Sequence, residues 1–169
     1  MHYFFKTMPS PVGLLTLIAS DRGLAAVLWE NENPQRVRQM SPQEDPQHTV
    51  LLETERQLNE YFAGQRTRFT MALDFVGTDF QKKVWQALVR IPFGETRSYA
   101  QIAREIGHPT AVRAVGAANG KNPISIIAPC HRVIGSNGKL TGFAGGLENK
   151  ALLLKIEADT DGKKAFILR

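Results

Sequence analysis

Only one of the 169 residues is a cysteine, and only four are histidines. A single thiol closes no internal disulfide, and His2, His48, His108 and His131 show none of the paired spacings that hold zinc, which excludes a disulfide scaffold and a zinc finger. No metal or cofactor is expected. The sequence also lacks any run of about eighteen apolar residues, and its opening stretch MHYFFKTMPSPVG has no basic region, apolar segment and small-residue cleavage site of a signal peptide. A cytoplasmic location with no membrane partner is therefore expected. Internal repeats and low-complexity segments are absent, and the length suits one generous domain or two small ones with an ordinary packed core.

The charge is unevenly placed. Residues 1–77 carry 7 basic and 9 acidic groups, whereas residues 78–157 carry 11 basic and 5 acidic groups, and the one cysteine, Cys130, lies in the basic half. Lys and Arg concentrated in one segment fit an electrostatic partner such as nucleic acid, or a solvated basic surface; charge alone favours neither.

Apolar runs separated by turn signals fill the first part of the chain: HYFFKTM, LLTLIAS and LAAVLWE, broken at residues 9–13 and 21–23, which predicts a small antiparallel meander. Helical spacing of apolar residues over 50–62, ending at Gly64, predicts one helix, followed by a strand at RFTMALDF. Near residues 76–78 the texture turns helical, so the division falls at 1–77 and 78–169. Thr78 with Gln81, and Ser98 with Gln101, are capping-box pairs opening two helices, and Thr110 is placed to cap a third, AVRAVGAAN. The last two helices, joined by a turn containing Gly107, form a plausible helix-turn-helix. The expected fold class is α+β: an N-terminal antiparallel sheet with a helix, then a mostly helical, winged helix-turn-helix-like DNA-binding domain. Ala111, Ala114, Gly116, Ala117 and Ala118 leave the third helix almost bare, with Arg113 its one long charged side chain. Such a surface suits either tight packing on a neighbouring helix or close approach to a nucleic-acid backbone.

A lone cysteine is most often core filler. Cys130, however, follows a proline, precedes His131 and Arg132, and stands among glycine and asparagine-glycine turns, a setting that predicts a lowered thiol pKa and a nucleophile. Adjacent residues on a strand point to opposite faces, so His131 needs a turn or a bridging water to reach the thiol. An acid to orient the imidazole is available on the last predicted helix, 147–158, where Glu157 projects between Leu153 and Leu154. Lys150, two turns earlier on the same stripe, argues instead that this side is wet. Cys, His and Glu serve a cysteine hydrolase and an alkyl-accepting thiol equally well.

The string RAVGAANGKNPISIIAPCHRVIGSNGKLTGFAGG closely resembles the active-site region of the O6-alkylguanine-DNA alkyltransferases, the methylated-DNA-protein-cysteine methyltransferases. The resemblance runs from Gly77 to about Glu157, with TDFQKKVWQAL, IPFGETRSYAQIA and NKALLLKIE in register, and is loose before that. It implies a suicide DNA-repair protein. Cys130 would attack the alkyl carbon on guanine O6, His131 would deprotonate the thiol through a water, and Glu157 would orient His131. Tyr99 would serve guanine N3 and crowd the flanking phosphate, while Arg113 would fill the gap left by the flipped nucleotide. Its helix, with Ala111, Ala114 and Gly116 at the surface, would lie in the minor groove of double-stranded DNA. Asn122 would be the hinge between that helix and the active-site segment, and the carbonyls of Cys130 and Val133 would accept from the guanine amino group. Phe143 and Ala144 stand where many members have tyrosine and some serine, so only the Ala144 amide is left to bond O6. A monomer in solution is implied, with cooperative binding along DNA left open. Two other classes stay in view: a non-catalytic damage-binding protein, which would have no need of Cys130, and a cysteine hydrolase, which would have no need of Arg113.

Overall fold

A computed structural model describes the backbone of residues 2–138 and 142–167, and side chains as far as Asp161. Residues 139–141 of the cysteine-containing string lie outside the described residues.

Three strands, β1 (Tyr3–Met8), β2 (Leu15–Ser20) and β3 (Gly23–Leu28), form the expected meander. A two-residue strand, β4 (Gln43–Glu44), joins β1 in parallel from within the polar stretch that follows, giving the order β3-β2-β1-β4. β2 and β3 are buried along nearly their whole length, as their continuous apolar runs require of strands covered on both faces. Helix α1 (Thr49–Phe62) packs Leu51, Leu58 and Tyr61 into the core shared with the sheet. His48 caps it, its Nδ1 accepting from the Val50 amide at 3.3 Å. Each large apolar side chain fully buried there contributes about 1.5–3 kcal/mol.

The strand expected at residues 68–75 does not form. Only Leu73 is bridged, pairing in parallel with Leu24 as the segment crosses the free edge of β3. The Leu24 amide donates to Ala72 O at 2.9 Å, and the Asp74 amide returns to Leu24 O at 2.7 Å. The approach is so close that a Cβ at Gly23, whose φ is +152°, would lie 2.6 Å from Ala72 O. Farther along the same edge Val27 pairs with Ile124. The edge is thus occupied at two points by passing chain, and a full strand has no room to run beside it.

Helix α2 (Asp79–Val89) and helix α3 (Tyr99–Glu105) both open with reciprocal capping boxes, at Thr78/Gln81 and Ser98/Gln101. Helix α4 (Val112–Gly120) differs from expectation: its N-cap is Ala111, and no side chain caps it, so Thr110 does not act as a cap. Trp85 of α2 donates its indole N–H to Ala118 O at 2.8 Å, fixing the end of α4 on the second core. A short parallel pair, β5 (Arg97–Ser98) with β6 (Val133–Ile134), links the start of α3 to the segment after the cysteine. Helix α5 (Leu147–Ile167) continues well past the expected end at residue 158. No described helix is long and apolar enough to cross a membrane.

Candidate active site

Every residue from Asn122 to Val133 is buried. The segment doubles back on itself: the Ile127 amide donates to Ser125 O and the Ala128 amide to Ile124 O, both at 2.9 Å. Ile126 sits at a φ of +73°, a conformation that costs a β-branched residue about 1–3 kcal/mol and is held only because the surrounding core fixes it. Cys130–Arg132 then forms a 3-10 turn. The backbone here is not an extended strand, so the obstacle of opposite-facing neighbours does not arise.

Cys130 is 4% exposed and belongs to the core formed by α2, α3 and α4. Asn122, fully buried, holds the turn together: its Oδ1 accepts from the Ile124 amide at 3.0 Å and its Nδ2 donates to Ala128 O at 2.8 Å. The expected lowered thiol pKa is not found. Burial pushes it up, and the Asn122 side chain and the positive charges of Arg36 and Lys150 offset this only in part. At neutral pH the resting group is a thiol, so attack requires a base.

His131, next in the turn, is the candidate. Its Nε2 lies 2.6 Å from Glu157 Oε2, and its Nδ1 is buried with no hydrogen-bond partner among the described residues. A proton on Nε2, donated to the carboxylate, leaves Nδ1 bare as an acceptor. Burial lowers the His131 pKa, the Glu157 contact opposes this, and Arg132 and Lys150 reinforce it, so the imidazole is neutral at pH 7. Burial alone would raise the Glu157 carboxyl, but the hydrogen bonds and charges of His131 and Arg132 hold it at about 2. Arg132 donates from Nε to Oε1 at 2.8 Å and from Nη2 to Oε2 at 3.1 Å, with Nη1 on Ile91 O at 2.7 Å.

Lys150 is not on a wet side. It is fully buried, donates to Val133 O at 2.7 Å, and places its ammonium 5.7 Å from the Phe143 ring centroid. Burial lowers its pKa, and the neighbouring Cys130 opposes that. The Val133 carbonyl therefore has one lone pair engaged and one remaining. Phe143 also stacks edge-on against Trp29, while Ala144 is exposed.

Tyr99 begins α3, and its ring lies against α4, where a Cβ added to Gly116 would come within 3.8 Å of it. On α4, Val115, Ala118 and Asn119 face the core, while Arg113, Ala114 and Ala117 are exposed and Ala111 is half-buried. Ala114 and Ala117 are therefore open to solvent, whereas Ala118 and, through the Tyr99 ring, Gly116 pack against the neighbouring helices. Arg113 engages no ion-pair or hydrogen-bond partner among the described residues. The end of α4 is clamped by Arg36, whose Nη1 donates to Gly120 O at 3.1 Å and Asn122 O at 2.7 Å.

Two family models match, together spanning most of the chain: 6-O-methylguanine DNA methyltransferase, ribonuclease-like domain, over residues 3–75, and the DNA binding domain of the same protein over residues 79–159. The methylated-DNA-protein-cysteine methyltransferase of Mycobacterium tuberculosis is 49% identical over 159 residues, covering 93% of this chain and 92% of its own length. The chain belongs to the methylated-DNA-protein-cysteine methyltransferase family. The constitutive Bacillus subtilis member is 46% identical over 159 residues, covering 91% of this chain and 94% of its own. Among solved structures, M. tuberculosis OGT in complex with DNA superposes with a TM-score of 0.85 at 48% identity, covering 95% of this chain and 94% of the other.

For a methyltransferase of this family, the structure puts Cys130 and His131 in one buried 3-10 turn, with His131 on Glu157, Asn122 bonded to the segment before the turn and Lys150 on Val133 after it. Tyr99 of α3 lies against Gly116 of α4, the helix that also carries the exposed Arg113. Three participants were not legible beforehand. In the sequence Arg132 reads only as a cation near the thiol, Lys150 reads as a sign of solvent, and Tyr61, whose hydroxyl donates to Glu157 Oε2 at 2.6 Å, lies 96 residues from its partner. No local pattern marks such a pairing.

Proposed function

We propose that this protein repairs duplex DNA by transferring the alkyl group of O6-alkylguanine to Cys130, irreversibly and once per molecule. The observation that carries the reading is the buried thiol of Cys130 directly followed by a neutral His131 whose Nε2 faces Glu157 and whose Nδ1 has no hydrogen-bond partner among the described residues. The thiol proton passes to His131 Nδ1, through a water. Sγ bonds to the alkyl carbon, the carbon–O6 bond breaks, and its electron pair stays on guanine, which Tyr99 serves by protonating or hydrogen-bonding N3. The product is a thioether, which water does not cleave, so the protein is consumed.

A target atom inside the stack has to be flipped out, at a cost of a few kcal/mol that a side chain entering the gap partly offsets. Arg113, exposed near the start of α4 and without an ion-pair or hydrogen-bond partner among the described residues, is suited to that role. The exposed Ala114 and Ala117 with the half-buried Gly116 make a face low enough to enter a minor groove, and the similarity to an OGT–DNA complex supports DNA as the partner. The free lone pair of Val133 O and the carbonyl of Cys130 would receive the guanine amino group, and the exposed Ala144 amide would approach O6. The division at residues 77 and 78 is supported by the limits of the two family models. The test is incubation with duplex DNA carrying a labelled methyl group on guanine O6. One methyl per molecule on Cys130, lost in Cys130→Ser with DNA binding retained, is expected. Binding without transfer, repeated turnover, or an adduct on another residue refutes the reading.

A further inference from the structure

Glu157 is where three separate parts of the chain converge. His131 and Arg132 reach it from the 3-10 turn, and the Gly94 amide reaches Oε1 at 3.2 Å from the connection between α2 and α3. The third part is α1, in the N-terminal half, through the hydroxyl of Tyr61. Oε2 alone accepts from His131 at 2.6 Å, Tyr61 at 2.6 Å and Arg132 Nη2 at 3.1 Å.

We propose that Tyr61 is a positioning residue for alkyl transfer: its hydroxyl shares the carboxylate oxygen that holds His131 and so sets how readily His131 takes the thiol proton. The proposal rests on Cys130 being the alkyl acceptor, and it gives the N-terminal half a part in the chemistry. Tyr61 is fully buried, with its ring packed against Phe62, Phe69 and Phe93 at centroid distances of 5.4, 5.5 and 6.1 Å. The hydroxyl therefore has a fixed position. Burial and the adjacent carboxylate push its pKa upward, so it is always the donor.

An oxygen accepting from three donors gives each of them less charge than it would give two. With the Tyr61 hydroxyl removed, Oε2 interacts more strongly with His131, and the imidazolium is favoured. Around His131, Glu157 and Lys150 face it from α5, Arg132 and Cys130 belong to its own turn, and Tyr61 acts from α1 through the carboxylate. Tyr61→Phe changes only the last of these. Transfer needs His131 Nδ1 unprotonated, so the ascending limb of rate against pH moves to higher pH, by on the order of one pH unit.

The experiment compares single-turnover transfer from free O6-benzylguanine, which needs no base flipping, between about pH 5 and about pH 9. Wild type, Tyr61→Phe and Phe69→Leu are measured, each with a thermal melt. Phe69→Leu loosens the ring packing without touching the carboxylate, so it should lower the melting temperature and leave the limb in place. A 3-fluorotyrosine at position 61 is a stronger donor and should move the limb toward lower pH, which a packing role does not predict. The inference is overturned if Tyr61→Phe keeps the wild-type limb, if Phe69→Leu shifts it equally, or if the fluorinated protein shifts it upward. Wild type that acquires no alkyl group overturns the proposed function and this inference with it; normal wild-type transfer with an unmoved limb overturns this inference alone.

Discussion

Replacing Glu157 by glutamine keeps the shape of the side chain and removes its charge. In the native protein the carboxyl is held at about 2 against an ordinary value of 4.5. At about 1.4 kcal/mol per unit, the folded state draws roughly 3 kcal/mol from the ionised form. The group is 1% exposed, so solvent screening takes little of this away. An amide in its place turns one of the two acceptor oxygens into a donor, facing either the Arg132 guanidinium or the pair formed by His131 and Tyr61. Arg132, 6% exposed, then keeps a buried charge without its counter-ion. Removing one partner of a buried pair costs about 3–5 kcal/mol. For a chain of this length that corresponds to a fall in melting temperature on the order of 10 °C.

The pH dependence supplies a second, independent readout. His131 has a lowered folded pKa, so as pH drops below its ordinary 6.5 the unfolded chain takes up a proton that the folded protein refuses, and stability declines. Glu157 also has a lowered folded pKa. Its contribution is complete above 4.5 and is lost as pH falls through about 2. Glu157→Gln abolishes the lower of these two windows. It keeps and deepens the upper one, because the anion that opposed the desolvation of His131 is gone. Urea unfolding of both proteins from neutral to acid pH measures this directly. A variant within about 2 °C of wild type, or one that retains the wild-type loss between 4.5 and 2, would refute the assignment of Glu157 as the charge on which the turn depends.

Arg113→Ala is expected to slow repair in duplex DNA by tenfold or more, on the order of a lost contact worth about 1.4 kcal/mol, while reaction with free O6-benzylguanine stays near the wild-type rate; equal losses on both substrates contradict a role in the emptied base stack. Binding to undamaged duplex should weaken linearly with log salt, with a slope of about −0.9 per phosphate contacted, and should be nearly the same on two unrelated sequences. Salt-independent binding, or a marked sequence preference, would mean that the basic half serves something other than DNA search.

How much of this could be read beforehand depends on the range of each interaction. The capping boxes at Thr78 and Ser98 are three-residue patterns, and both form as their spacing requires. The meander follows from apolar runs and turns, which are local in the same sense. The strand expected at residues 68–75 failed because strand formation depends on what already occupies the neighbouring edge, and there Pro123 and Ile124 arrive from fifty residues downstream. The thiol pKa was misjudged for a related reason. Neighbouring cations are visible in sequence, whereas burial, which outweighs them, is a property of the assembled core. Lys150 shows the same reversal: a charged residue on an apolar stripe reads as solvent, and only the Val133 carbonyl and the Phe143 ring, both set in place by the turn, make burial tolerable. Glu157 is legible as the partner of His131 because its helix can be laid out at one hundred degrees per residue, but its other donors are not, since Tyr61 arrives from α1, the Gly94 amide from the α2–α3 connection and Arg132 from the 3-10 turn. A site assembled from so many distant segments exists only once both cores have formed, so its reactivity and the stability of the whole protein depend on the same buried carboxylate.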